Sequence, residues 1–403
     1  MRLMKDLKDW SLLLKISKLV PCLLIGFIST LDANEYYLSK NKEDILKYSY
    51  DKATEDGNKL KNDWINPITY KYIYSDTETY DTTKSYINIS QPIFKSGGIY
   101  YAIKYAKSTQ KQTNRSIDVQ RKELIKQTIN LLFQIKKIDI TISKQKLLIQ
   151  NAKLDVERKK EQVLNGILDT SFLDNAILDS NSKQNTLIDL EYQRVTYINN
   201  LSTFSDKKYE ELKVPELSIT QDIEFLEKNI YLEKAQDEIN SSYWFKNMII
   251  SNYLPTVNFT ADYTKYHYTD NNPSLSKEGT ENYGFNITIP FDIRYSNAIQ
   301  SAKIEYLQNK VALQDKKEEE KVLFNNVTSK IASLDKKMII AKNDIQLYDS
   351  LVTQIKEQLD VGMKTQSDLE TIKNSKKIKT LEIESLKIDE QIELLEIYSR
   401  IEI

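Results

Sequence analysis

The 403-residue chain carries 57 Lys+Arg against 58 Asp+Glu, with 40% hydrophobic residues, one His and one Cys. Balanced charge gives no basic face for nucleic acid, and so little His and Cys leaves almost no material for a His-based triad, a zinc centre or a disulfide framework. Eight Gly and seven Pro allow few turns, and a mean hydropathy of −0.52 fits no polytopic helical membrane protein, so the composition describes long helices.

In chain order, residues 1–33 predict a secretory signal peptide. Arg2, Lys5, Lys8, Lys15 and Lys18 form its basic start, and Leu19–Ile28 its short apolar core, with cleavage near Ala33. An uncleaved anchor is the alternative. Cys22 precedes most of the apolar run, which argues against lipidation. No later segment is apolar enough for a transmembrane helix, so any membrane spanning falls to strands.

The first structural repeat is expected over 34–221, with strands at about 66–92, a long helix at about 98–165, a return helix at about 170–203 and a linker at 204–221. Residues 68–74 (ITYKYIY) and 85–91 (SYINISQ) alternate polar and apolar positions, the mark of half-buried strands. Residues 99–165 then contain neither Gly nor Pro, and Ile135, Ile142, Ile149, Val156 and Val163 recur every seventh position. That period predicts helices supercoiled against neighbours. Pro92, Gly97 and Gly98 are placed at the strand-to-helix bend.

The second repeat is expected over 222–403, with strands at about 255–290, a long helix at about 294–361 and a return helix at about 365–400. In 256–268 Val257, Phe259, Ala261 and Tyr263 share one face, and Thr256, Asn258, Thr260 and Asp262 the other. Val327, Ile331, Leu334, Met338 and Ala341 alternate steps of four and three along the second long helix. The run Glu318–Glu320 reads as a solvated helix face, and His267 as a loop-proximal residue. Asn88-Ile-Ser-Gln-Pro92 matches Asn286-Ile-Thr-Ile-Pro290, and Gly166 matches Gly362, as a duplication requires. Tyr is concentrated around both strand pairs, as in the aromatic girdles of membrane barrels. Four strands per chain cannot close a barrel, so strands entering a membrane require an oligomer.

This layout resembles the TolC family of outer-membrane efflux and secretion ducts over nearly the whole mature chain. The most specific motif is Val361-Gly-Met-Lys-Thr-Gln-Ser-Asp-Leu369, similar to the family's V-G-x-[RK]-T-x-x-D-[VL] tip; Asn165-Gly-Ile-Leu-Asp-Thr-Ser-Phe-Leu-Asp-Asn-Ala176 resembles its partner. Two positions depart from the family pattern. Phe172 stands where the best-known members have Asp, and Leu359 where they place a gate-bonding Tyr.

The resemblance implies a mainly α fold with a small β portion, assembled as a homotrimer with a 12-stranded β-barrel on a long α-helical coiled-coil barrel. It implies an outer-membrane location in a Gram-negative bacterium, helices in the periplasm, and the exit-duct role in a tripartite pump exporting drugs or other small toxic molecules. The partners would be outer-membrane lipid, a periplasmic adaptor and an inner-membrane transporter of RND or ABC type, with no nucleic acid, no cofactor, no metal and no catalytic residue. Asn165, Gly166, Ile167, Val361, Gly362 and Met363 would form adaptor-docking tips. Lys364 and Asp368 would belong to the periplasmic gate, although Asp368 equally suits a helix N-terminus. Pro290 would serve the second strand-to-helix bend. Type I protein secretion is the alternative within this class. A secreted structural coiled-coil protein is the alternative outside it.

Overall fold

The computed structural model describes residues 37–76, 78, 81–219, 221–269 and 279–401. The expected signal peptide, with Cys22, lies outside them. Among the described residues, seven α-helices and four strands follow in the order α1 (Lys40–Asn62), β1 (Thr69–Asp76), β2 (Asp81–Phe94), α2 (Gly98–Leu164), α3 (Thr170–Leu201), α4 (Asp222–Glu227), α5 (Ile230–Ser251), β3 (Thr256–Thr269), β4 (Thr280–Thr288), α6 (Tyr295–Asp360) and α7 (Gln366–Tyr398). The chain is thus mainly helical with a small strand portion, and helix, hairpin, long helix and return helix occur twice in order.

The two long helices have 67 and 66 residues, so each extends about 100 Å at ~1.5 Å per residue. Helices this long need lateral partners throughout, and each has them at two levels. Near the strands the order across the layer is α1–α2–α5–α6; beyond it is α3–α2–α7–α6. Heptad positions make these seams. Ile129 and Phe133 of α2 pack on Ile388 and Leu395 of α7. Phe324, Val327 and Ile331 of α6 pack on Leu394 and Ile397 of α7 and on Phe225 of α4. Each such side chain contributes about 1.5–3 kcal/mol by leaving water. Charged pairs border the seams: Lys126–Glu396 at 2.7 Å and Lys137–Asp389 at 2.5 Å join α2 to α7, and Lys379–Asp344 at 3.1 Å joins α7 to α6.

Residues 204–219, part of the expected linker, have a defined course. Gln391 of α7 clamps them: the Leu217 N–H donates to Oε1 at 2.7 Å, and Nε2 donates to the Leu217 carbonyl at 3.0 Å.

The four strands form one antiparallel sheet in the order β1-β2-β3-β4. The two hairpins are therefore fused through β2–β3, where Ile87 pairs with Tyr263 and Asn88 with Asp262. Sequence reading ends the second strand at Pro92. Instead β2 runs on to Phe94, with Pro92 opposite Asn258 and a bulge before Phe94. A bulge is where a strand tolerates a residue without an N–H.

Glu320 is a second correction. The 318–320 run is not wholly solvated, because Glu320 is 1% exposed. It falls on the heptad line Leu313, Glu320, Val327, Leu334, Ala341, each buried. The burial is compensated by Arg400 Nη1 at 2.8 Å, Asn229 Nδ2 at 2.9 Å and Lys316 Nζ at 3.3 Å, as a buried carboxylate requires.

Candidate functional site: a two-faced sheet and two helical tips

Strand register sorts the sheet into two unlike faces. Tyr70, Tyr72 and Tyr74 of β1, Ile87 and Ile89 of β2, Val257, Phe259, Ala261 and Tyr263 of β3, and Tyr283, Phe285 and Ile287 of β4 fall on one. Phe259 and Phe285 meet there at 5.6 Å. Asn88, Ser90, Asn258, Thr260, Asp262, Asn282 and Asn286 fall on the other. At its centre Tyr86 Oη and Asn88 Nδ2 donate to Asp262 Oδ1, at 2.7 and 2.5 Å. The apolar face is uncovered: the three β1 tyrosines, Tyr283, Phe285 and Ile287 are all exposed. Apolar exposure continues past β4 to Phe291, 96% exposed, and Ile293, 95% exposed. A strand face this apolar is costly in water and suited to lipid.

Among the described residues, both sheet edges, β1 and β4, lack a neighbouring strand. The helical layer is open on the same flanks. Its rims are α1 and α3 on the β1 side and α6 on the β4 side. On α6 the rim exposes Ile304, Leu307, Val311, Ile340, Leu347 and Leu351; on α3 it exposes Ile188, Tyr192 and Val195. These are helical spacings of the kind that pack against another helix.

His267 lies within β3. Its Nε2 is 2.6 Å from Ser85 Oγ and its ring 5.7 Å from that of Tyr72, so it joins a cross-strand ladder.

At each strand-to-helix passage the expected residues are present and act differently. Gly97 adopts φ 84° and caps α2, while a Cβ on Gly98 would come within 2.8 Å of Ser251 Oγ at the end of α5. In the second passage Pro290 follows β4, and Asp292 caps the turn by accepting from the Arg294 backbone N–H and from its guanidinium, at 2.9 and 2.8 Å. Those bonds from Arg294 hold the Asp292 carboxyl down at about 2.

The two tips are built alike. At the end of α2, Ile167 N–H donates to the Gln162 carbonyl (2.8 Å) and Gly166 N–H to that of Val163 (3.0 Å). At the end of α6, Met363 N–H donates to the Gln358 carbonyl (2.8 Å) and Gly362 N–H to that of Leu359 (3.0 Å). This is the Schellman closure, which needs a left-handed residue at the turn; Gly166 and Gly362 supply it with φ 71° and 76°. Asn165 and Val361 are the helix C-caps. Ile167, Val361 and Met363 expose their apolar side chains, joined by Leu164, which sequence reading missed.

Lys364 and Asp368 lie just past the second turn, and Asp368 is engaged locally. Thr365 and Asp368 form a capping box: Thr365 N–H donates to the carboxylate at 3.1 Å, and Asp368 N–H donates to Thr365 Oγ1 at 3.2 Å. The Thr365 N–H is the main cause holding the Asp368 carboxyl below its ordinary range. Its ion-pair partner is Arg158 of α2 at 3.5 Å, while Lys364 acts on it through charge alone. Asp368 therefore ties the two tips together. At the departing positions, Phe172 packs under Lys159 at 5.6 Å, and Leu359 is half-buried.

The chain matches no protein-family model and no curated protein sequence. Solved structures do match. The Campylobacter jejuni CmeC outer membrane channel superimposes with a TM-score of 0.70 at 13% identity, covering 91% of this chain and 84% of that one. The outer membrane protein VceC of Vibrio cholerae gives 0.69 at 12% identity, covering 88% and 92%. The MtrE outer membrane channel of Neisseria gonorrhoeae gives 0.65 at 11%, covering 89% and 85%. The chain has the TolC fold. At such identities the likeness is one of architecture, and the TolC-like frame accounts for the fused hairpins, the long helices and the paired tips together.

Proposed function

We propose that this chain is the outer-membrane exit duct of a tripartite efflux pump, passing drugs or other small toxic molecules without chemistry of its own. One observation carries the reading: a sheet apolar and uncovered on one face, polar on the other, and unpaired at both edges. Lipid accepts the first face, a water-filled lumen the second, and only ring closure removes the edges. The helical rims open on the same flanks, so β4 and α6 of one copy would meet β1, α1 and α3 of the next. Such a head-to-tail interface closes into a ring; three copies would give a barrel of twelve strands. A periplasmic adaptor would grip the apolar tips, and an inner-membrane transporter would supply the energy. The outer-membrane channels among the structural neighbours support the location. The four-stranded sheet disfavours a coiled-coil filament.

Ring closure is tested by placing Lys71→Cys and Asn282→Cys in one chain, on β1 and β4, and oxidising outer-membrane fractions. Denaturing gels should show a ladder ending at three chain masses. A soluble periplasmic monomer would remove the reading. Deleting the protein should lower drug resistance; loss of a secreted protein with resistance intact would move the cargo to type I secretion.

A further inference from the structure

Directly beyond the sheet, the layer carries a band of aromatic rings and lysines on one face. Tyr100 of α2 stands 6.0 Å from Trp244 of α5, Trp244 is 5.0 Å from Tyr243, and Tyr243 is 5.8 Å from Tyr306 of α6. The rings thus form a continuous row across three helices. Each segment of the row carries a cation. Lys104 lies 5.5 Å from the Tyr100 ring and 5.9 Å from that of Trp244; Lys246 lies 4.7 Å from Tyr243 and 4.9 Å from Tyr306; Lys310 lies 5.6 Å from Tyr306. Lys107 and Lys303, one helical repeat away on the same faces, are exposed.

The other face of α5 has the opposite character. Glu238, Ser241 and Ser242 line a groove of about 410 Å³ with Gln112, Glu305 and Asn309, and no Lys or Arg borders it. The groove also takes in Tyr105 and Phe245, whose rings lie 5.2 Å apart, so at the same height the two sides differ in charge, cationic on one and acidic on the other, and not in aromatic content. That height is fixed by the helices. Lys104 is six residues into α2 and Trp244 seven before the end of α5, about 10 Å along each helix from the end nearer the sheet at ~1.5 Å per residue; Tyr306, eleven residues into α6, is about 16 Å from the start of that helix.

We infer that this band is a headgroup site for anionic phospholipid of the leaflet nearest the helices. Aromatic rings with one polar end settle at the membrane–water boundary, and lysines beside a spanning segment attract anionic headgroups. The band is where both are needed if the apolar sheet face is in lipid, so the inference rests on the duct reading. Tyr100–Trp244 and Trp244–Tyr243 pack edge to face and Tyr243–Tyr306 is tilted, and the ammonium groups of Lys104, Lys246 and Lys310 lie over these rings, where they are placed to meet phosphate oxygens.

The test uses the detergent-solubilised oligomer, titrated separately with phosphatidylglycerol, phosphatidylcholine and inorganic phosphate, reading the thermal midpoint and the lipid retained in native mass spectrometry. Phosphatidylglycerol should bind and raise the midpoint; phosphatidylcholine and phosphate should not. K104Q/K246Q/K310Q should weaken phosphatidylglycerol binding by roughly fivefold per lysine at low salt, and the matching arginine set should restore it. K310Q alone, at an exposed position, should cost about fivefold and guards against misassembly of the triple variant. Unchanged phosphatidylglycerol binding in the glutamine variants would overturn the inference. So would a midpoint shift from phosphate alone, which would mark a soluble-anion site. A change in single-channel ion preference with lipid binding intact would place the band in the duct and overturn it as well. A chain that never reaches the membrane as an oligomer removes the duct reading and this site with it; a normal oligomer indifferent to headgroup charge removes this site only.

Discussion

Arg400 Nη1 donates to Glu320 Oε1 at 2.8 Å, joining residues 80 positions apart. The bond fixes the end of α7 to the middle of α6. Around it, the Arg400 guanidinium stacks on Tyr231 at 4.8 Å, Tyr231 donates to Glu123 of α2 at 2.5 Å, and the Arg400 carbonyl accepts from Ile230 N–H at 2.9 Å. Four helices are pinned at one level, where the shorter helices change over along the two long ones. Glu320→Ala would leave Arg400 and Asn229 without their acceptor. A loss of about 3–5 kcal/mol is expected, read as a lower thermal midpoint of the assembled protein. Replacing Glu320 and Arg400 together by Leu and Met should cost much less.

The sheet faces should respond oppositely to the same charge. Phe285→Lys puts an ammonium on the apolar face and should reduce membrane-inserted oligomer, at about 2–4 kcal/mol per chain if the site lies at mid-bilayer. Asn286→Lys, one residue on, should leave assembly unchanged and shift single-channel selectivity toward anions. Equal behaviour of the two would show that the faces are not lipid and lumen.

At the tips, a Cβ on Gly166 or Gly362 would meet nothing within 4 Å, so only the positive φ opposes substitution. Alanine at either position should cost about 1 kcal/mol, with normal oligomer yield. Tryptophan at both should preserve the oligomer and abolish drug resistance, if the tips are where an adaptor docks. Normal resistance in that variant would remove the docking role.

Asp368 couples the second tip to pH. Its folded pKa lies below the ordinary 3.8, so the carboxylate stabilises the fold above that value. The contribution is lost as pH falls below 3.8 through the folded pKa. Asp368→Asn should lower the thermal midpoint at pH 7, by an amount matching a cap worth about 0.5–2 kcal/mol, and the gap should narrow progressively as pH falls below 3.8. The same variant tests the gate proposal: weaker cation selectivity and relief of block by trivalent cations would place Asp368 at the constriction, whereas unchanged currents would leave it a capping residue only.

The sequence by itself determined the elements. Long stretches without Gly or Pro, seven-residue apolar repeats and period-two strands are local signals, because they follow from backbone geometry within one segment. Gly166 and Gly362 were legible for the same reason: a left-handed turn residue is a local demand. Glu320 was legible in principle, since it stands on the heptad line of Leu313 and Val327, but its two acidic neighbours, Glu318 and Glu319, suggested solvent. What only the tertiary structure decided was every relation between distant segments. The fusion of the two hairpins, the Glu320–Arg400 bond, the Arg158–Asp368 ion pair, and the row of rings from Tyr100 to Tyr306 each join residues whose separation along the chain carries no period. Such contacts depend on how helices of about 100 Å are laid side by side, and a shift of one heptad along a seam would replace all of them while leaving the local pattern unchanged.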